Sequence, residues 1–291
     1  QIGLPEKILK SSDIAPPIVH LSRALKLDQV GLSVRDVRRM TEDVRRDGKD
    51  NPLVEKVLTS TAISVKGAAI SYGAHTALKN VDALVMEGEI VALMGRNGAG
   101  KSSLLQSIVG VKELDRGEIS VFAHLPMSLK GAMRRATVGY IPQEPSDLLY
   151  AQSVTQECSQ ADKDNGITSG TTFALLQELV PSISPATHPR DLSEGQRLAL
   201  ALAVVLSAQP RALILDEPTR GLDYQSKSLL IEILKGFAAQ PGKSVVIATH
   251  DVELVAELAD RVIFLSEGEV VADGPTLDIL LASPAFAPQV A

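Results

Sequence analysis

Nine residues, Gly95 to Ser103, constrain this chain more than any others. EIVALM, GRNGAGKSS and LLQSIV follow one another directly. A β-branched apolar run, a glycine-rich loop and a second apolar run read as strand, loop and helix. The loop matches G-x-x-x-x-G-K-[ST] from Gly95 to Ser102. Its glycines let the backbone curl so that successive N–H groups point at phosphate oxygens. Lys101 adds a point charge toward the β- and γ-phosphates, and the Ser102 hydroxyl is placed to ligate Mg2+. A dinucleotide-binding loop fits less well, because that fingerprint carries no Lys-Ser pair. The predicted phosphate-binding residues are Gly95, Asn97, Gly98, Ala99, Gly100, Lys101, Ser102 and Ser103.

The rest of the chain shows what surrounds the loop. AISVKGAAISY, NVDALVMEGEIVALM, TVGYI, ALILD, SVVIATH and VIFLSEGEVVADG are the strand candidates, and helical segments lie between several of them. That alternation predicts an α/β domain with a largely parallel sheet. RALILDEPT delivers Asp216 and Glu217 at a strand's C-terminal end, where open α/β sheets bind ligands. Asp216 is expected to hold Mg2+ through water. Glu217 is expected near the γ-phosphate, polarising the attacking water, an effect of ~10²–10⁴-fold in rate. SVVIATH ends at His250, in reach of the γ-phosphate or that water.

A further anion site has no cation of its own. LSEGQR (192–197) precedes the apolar run LALALAVVL, with Ser193 as helix cap and Gln196 three positions on. Ser-x-x-Gln is a capping box. The free N–H groups and positive dipole end of such a helix start attract anions.

Composition narrows the class. The chain has 291 residues, enough for one large domain or two modest ones. A formal net charge of −6 argues against a nucleic-acid partner, which favours a basic excess. One cysteine, Cys158, permits no intrachain disulfide and fits a reducing compartment, with Cys158 as a spectator thiol. With 3% aromatics and no Trp, the core must come from Leu, Val, Ile and Ala. The longest apolar run, Leu198 to Leu206, is far short of the ~20 residues of a membrane helix. The start, QIGLPEK, has no Met and no signal-peptide pattern, so the chain reads as a piece of something longer. Residues 1–58 are Pro-containing and then charge-rich. IVHLSRALKL and LSVRDVRRMTEDV read as helices, the second capped by Ser33. The cluster Arg35, Arg38, Arg39, Arg45 and Arg46 is interleaved with Glu42 and Asp43 and reads as a solvated face.

GRNGAGKSS, LSEGQR, LILDEPT, GLD (221–223) and ATHD stand in that order, and the chain from Ala62 to Leu281 resembles an ATP-binding cassette (ABC) ATPase. The resemblance implies a P-loop NTPase fold over residues 59–291. It would have a mixed central sheet, an antiparallel β subdomain and a small helical subdomain at about 144–196. ATP and Mg2+ are the implied cofactors. LSEGQR corresponds to the signature motif, so Ser193, Gly195 and Gln196 would face the γ-phosphate of a second cassette in a head-to-tail dimer. Asp223 would couple the two sites. Gln143 in GYIPQEP corresponds to the Q-loop, which contacts Mg2+ and moves with a transmembrane partner. Tyr72 matches the aromatic that stacks on adenine, a contact of ~1–3 kcal/mol by analogy with nucleic-acid binders. The family's transporters place this subunit peripherally, on the cytoplasmic side of the membrane.

QEPSDLLYAQSVTQE is similar to the same segment of energy-coupling factor (ECF) transporter ATPases. APPIVHLSRALKLDQVGLSVRDV is similar to the C-terminal tail of such an ATPase, and TLDILLASPAFAPQVA to the start of that tail. The simplest account is the second cassette of a tandem fusion, with residues 1–58 as the tail of the first module. Two departures bear on the signature: Glu194 stands where the family usually has Gly, and LALALA lacks the arginine common downstream. The site this signature completes is therefore expected to be the weaker one. A translation or DNA-repair ATPase would need a second cassette with a long basic linker, or a coiled-coil insertion. Gln143 to Ser193 leaves room only for a small helical subdomain. Intact Lys101, Asp216, Glu217 and His250 argue against a non-hydrolysing regulatory half.

Overall fold

The computed structural model describes residues 60–282 and, ahead of them, Val19, Ser22, Arg23 and Met40. Apart from those four residues, the two N-terminal helices expected from the sequence, the Ser33 cap and the arginine cluster lie outside the described residues, as does the tail after Ala282. Residues 58–279 form one compact unit; residues 1–57 with 280–291 form another.

In chain order, β1 (Thr61–Tyr72) and β2 (His75–Met86) make an antiparallel hairpin. β3 (Ile90–Met94) leads into the glycine loop and α1 (Lys101–Ile108), and β4 (Arg116–Val121) returns to pair with β1. The resulting three-stranded sheet runs β2-β1-β4. α2 (Gly131–Thr137) and β5 (Val138–Ile141) follow. Three helices come next: α3 (Val154–Asn165), α4 (Thr171–Leu179) and α5 (Glu194–Leu206). The chain then alternates β6 (Ala212–Asp216), α6 (Tyr224–Ala238), β7 (Ser244–Ala248) and α7 (Val252–Leu258). It continues through β8 (Arg261–Ser266), β9 (Glu269–Pro275) and α8 (Thr276–Ala282).

The second sheet runs β5-β6-β7-β3-β8-β9. Its pairs are parallel except β8 with β9, so the sheet is mixed. VIFLSEGEVVADG is therefore a hairpin and not one strand. Glu267 (φ 50°) and Gly268 (φ 79°) are both left-handed, the backbone of a tight hairpin turn.

β3, β6 and β7 are buried along their whole length, because both faces are covered. On one face Val91, Leu93, Ile214 and Val246 pack with Leu104, Leu105 and Ile108 of α1 and with the three-stranded sheet. On the other, Leu213, Leu215, Val245 and Ile247 pack with α5, α6 and α7. α5 serves two cores at once. Leu198, Ala201 and Leu202 face the sheet, while Ala199, Leu200 and Ala203 join Val154, Cys158 and Leu176 of α3 and α4. That is why LALALAVVL is apolar all round. Cys158 is fully enclosed there, and burial pushes its thiol up to about 12, which leaves it protonated and inert.

Candidate functional site

Three neighbouring strands end together. Leu93 of β3 and Asp216 of β6 both pair with Ala248, the last residue of β7. The glycine loop, the Asp216–Glu217 pair and His250 thus leave the same edge of the sheet. The glycine loop meets β2 at its last glycine. At Gly100 (φ 103°) an added Cβ would fall 2.4 Å from Ala77 O and 2.6 Å from Leu78 Cδ2. Only glycine permits both the conformation and the approach.

Lys101, the first residue of α1, is 6% exposed. Its ammonium donates to the Gly95 carbonyl at 2.8 Å and to the Arg96 carbonyl at 3.4 Å, and stands 3.6 Å from Glu217 Oε1. Glu217 is a buried residue with a left-handed backbone (φ 48°), a strained state for a side chain of this kind. Its N–H donates to Ala248 O at 2.7 Å, which holds the strain in place. His250 Nδ1 is hydrogen-bonded to Glu217 Oε2 at 2.7 Å. His250 itself lies just beyond the end of β7 and is exposed.

Asp216 is 3% exposed. Burial pushes its carboxyl up, the Ser102 hydroxyl bonded to it works the other way, and the Glu217 charge adds to the rise. Asp216 Oδ1 is buried with no hydrogen-bond partner. An orphaned carboxylate oxygen beside a serine hydroxyl is the donor set that a hard cation takes up, so the residues present fit Mg2+.

A cavity of about 650 Å³ gathers most of the predicted residues. Tyr72, Asn97, Gly98, Gly100, Lys101, Ser102, Ser103, Gln143, Asp216, Glu217 and His250 all line it. The Tyr72 hydroxyl is 3.4 Å from Ser103 Oγ, and the Lys112 ammonium sits 4.7 Å from its ring centre. Gly95 and Ala99 support the loop from behind; the Ala99 N–H donates to Arg96 O. Arg220 also lines the cavity, a residue outside the motifs that mark the site in the sequence. A cation three residues past the acidic strand end was the available sequence signal.

Ser193, Gly195, Gln196 and Asp223 do not line this cavity. Ser193 and Gln196 make the complete capping box at the start of α5. Asp223 caps α6, accepting from Ser226 N–H at 2.8 Å. Glu194 pairs with Arg197 at 2.8 Å and lies against Gly221. Arg197 is itself anchored on the Leu192 carbonyl at 2.8 Å. A narrower cavity of about 180 Å³ runs between Glu194, Gln143, Glu144, Glu217 and Arg220.

Residues 78–220 match the family model described as ABC transporter. A putative ABC transporter ATP-binding protein of Streptomyces coelicolor is 35% identical over 225 residues, covering 75% of this chain and 85% of that protein. This chain belongs to the ABC transporter ATP-binding family. Another Streptomyces coelicolor protein of the same description is 45% identical over 327 residues, covering 100% of this cassette chain and 57% of its own length. The cassette chain thus spans little more than half of that relative, and the same holds for a Streptomyces avermitilis counterpart at 45% identity and 57% coverage. Among solved structures it is similar to a dimeric ATP-binding cassette in a post-hydrolysis state bound to ADP and Pi. The TM-score is 0.66 at 26% identity, covering 74% of this chain and 98% of that one. It is also similar to cbiO1 from Clostridium perfringens, part of the ABC transporter complex cbiONQ. There the TM-score is 0.66 at 27% identity, covering 77% and 92%. Among the described residues no helix is long and apolar enough to cross a membrane.

Proposed function

We propose that this chain is the ATP-hydrolysing cassette of a membrane transporter. The observation that carries it is the convergence of Lys101, Ser102, Asp216, Glu217 and His250 on one cavity. Lys101 exchanges the Gly95 and Arg96 carbonyls for phosphate oxygens, aided by the backbone N–H groups from Asn97 to Ser103. Ser102 and Asp216 would hold Mg2+, with Gln143 as a further ligand. The chemistry it would supply there is neutralisation of phosphate charge. Glu217 orients the attacking water and takes its proton, and His250 positions that carboxylate through the bond at Oε2. Tyr72 carries the adenine.

Ser193, Gly195 and Gln196 serve the γ-phosphate of a second cassette in a head-to-tail dimer, with Asp223 as the coupling residue. Their position off the chain's own cavity supports this, as does the dimeric state of the similar cassette bound to ADP and Pi. The transporter is of the ECF type, importing a vitamin or metal ion, a reading supported by the similarity to cbiO1. The cassette sits at the cytoplasmic face, and the segment from Leu148 to Val154 in the 144–196 helical subdomain grips a helix of the transmembrane subunit. Residues 1–58 are the tail of a preceding module.

Glu217→Gln tests the core of this reading. Turnover should fall ~10²-fold or more, while ATP binding, measured by titration calorimetry, persists. Unchanged turnover in the assembled complex overturns it.

A further inference from the structure

Arg220 stands at the junction of the two cavities, and its role follows from the charges around it. The larger cavity holds two carboxylates, Asp216 and Glu217. Lys101 lies 3.6 Å from one of them and is shared between it and the loop carbonyls. Among the described residues lining that space, Arg220 is the other permanently charged cation. Its backbone is fixed, because its N–H donates to Glu217 O at 3.2 Å in the turn after β6. Its guanidinium pairs with Glu144 Oε1 at 2.9 Å, and both side chains of that pair are more than half exposed, at 60% and 56%. Exposed pairs of this kind are weak. A phosphate group offers the same planar fork a denser negative charge and two oxygens.

We propose that Arg220 is a phosphate-binding residue of this site: on nucleotide entry its guanidinium leaves Glu144 for the terminal phosphate of a nucleoside triphosphate. The exchange rests on the reading of the Lys101 cavity as an ATP site. It gives that site a means to tell a triphosphate from a diphosphate, because the atom group that Arg220 grips is lost on hydrolysis. It also frees Glu144, the neighbour of Gln143 on the wall of the narrower cavity, so that the bound phosphate count is read at the Gln143 segment.

Three substitutions test the exchange, those at Arg220 and Glu144 with opposite expected signs, with affinities for Mg-ATP and Mg-ADP measured by titration on the purified chain. Arg220→Ala should weaken ATP about tenfold and leave ADP within about twofold. Arg220→Lys should recover part of the loss. Glu144→Gln should strengthen ATP about two- to threefold, because it removes the competing carboxylate. A structural tie between the two loops predicts the reverse for Glu144: both variants would weaken ATP alike, and that result overturns the proposal. Equal losses for ATP and ADP in Arg220→Ala, or no change in either, also overturn it. A wild-type chain that binds neither nucleotide overturns the ATP reading itself, whereas normal wild-type binding with an indifferent Arg220 overturns only the exchange. A thermal melt of each variant checks that it remains folded.

Discussion

Gly195 has a neighbour where a side chain would go. A Cβ there would fall 2.1 Å from Ser226 Oγ and 2.9 Å from Ser226 Cβ. The start of α5 is thus pressed against the first turn of α6, the helix that Asp223 caps. Gly195→Ala should cost about 1–3 kcal/mol in urea unfolding, the usual range for an overpacked contact. Adding Ser226→Gly should recover most of that loss, and a double variant no better than the single one would refute the contact as cause. The same scale separates what the sequence makes legible from what it hides. Gly95 to Ser103 can be read directly because the glycines, Lys101 and the Ser102 hydroxyl are contiguous in the chain. Asp216 and Glu217 are legible because two adjacent carboxylates directly follow the apolar run Ala212 to Leu215. Arg220 is not, since its partner Glu144 lies 76 residues away. Glu194 reads as a stray carboxylate at a helix start; its partner Arg197 shares its helix face, and only the fold shows Gly221 beneath it.

Among the elements, α4 begins without a side-chain cap: its N-cap is Gly170. Asp162, near the end of α3, supplies the missing acceptor from outside. It receives Gly170 N–H at 2.6 Å, Thr172 N–H at 2.9 Å and the Thr172 hydroxyl at 2.6 Å, with both Asp162 and Thr172 buried. Asp162→Ala leaves buried donors without a partner and should cost about 2–3 kcal/mol. Asp162→Asn, which keeps one oxygen, should cost less. Burial alone would raise the Asp162 carboxyl, but these donors outweigh it and hold it below its ordinary 3.8. A lowered folded-state value stabilises the protein above the unfolded value, and the benefit is lost as pH falls below 3.8. Wild type should therefore lose stability on acidification in that range, and the loss should be smaller in Asp162→Asn. Equal acid sensitivity would count against Asp162. Ser193 is legible as a cap because its partner is three residues on, whereas Asp162 caps a different helix and leaves no local pattern. The β8–β9 hairpin is hidden for a related reason: Glu267 takes a left-handed backbone that the residue type does not announce.

At the scale of the whole molecule, the largest unfilled role belongs to the α5 start. Ser193, Gly195 and Gln196 lie outside the cavity of their own chain, and the proposed head-to-tail dimer assigns them to the nucleotide of a second cassette. A mixing experiment tests this without a structure of the dimer. Lys101→Ala removes the phosphate cation and keeps the α5 start. Ser193→Arg keeps the cavity and blocks the α5 start, at a capping cost of about 1 kcal/mol. Where two copies of this chain can pair head to tail, each variant alone should be inactive, because every composite site lacks one half. In an equal mixture half the dimers are mixed, and each of those has one intact site of two. ATP turnover should therefore return to roughly a quarter of wild type, as expected for a two-fold assembly with shared sites. If Ser193 instead served its own chain's nucleotide, no pairing could join an intact cavity to an intact α5 start, and the mixture would stay as inactive as its parents.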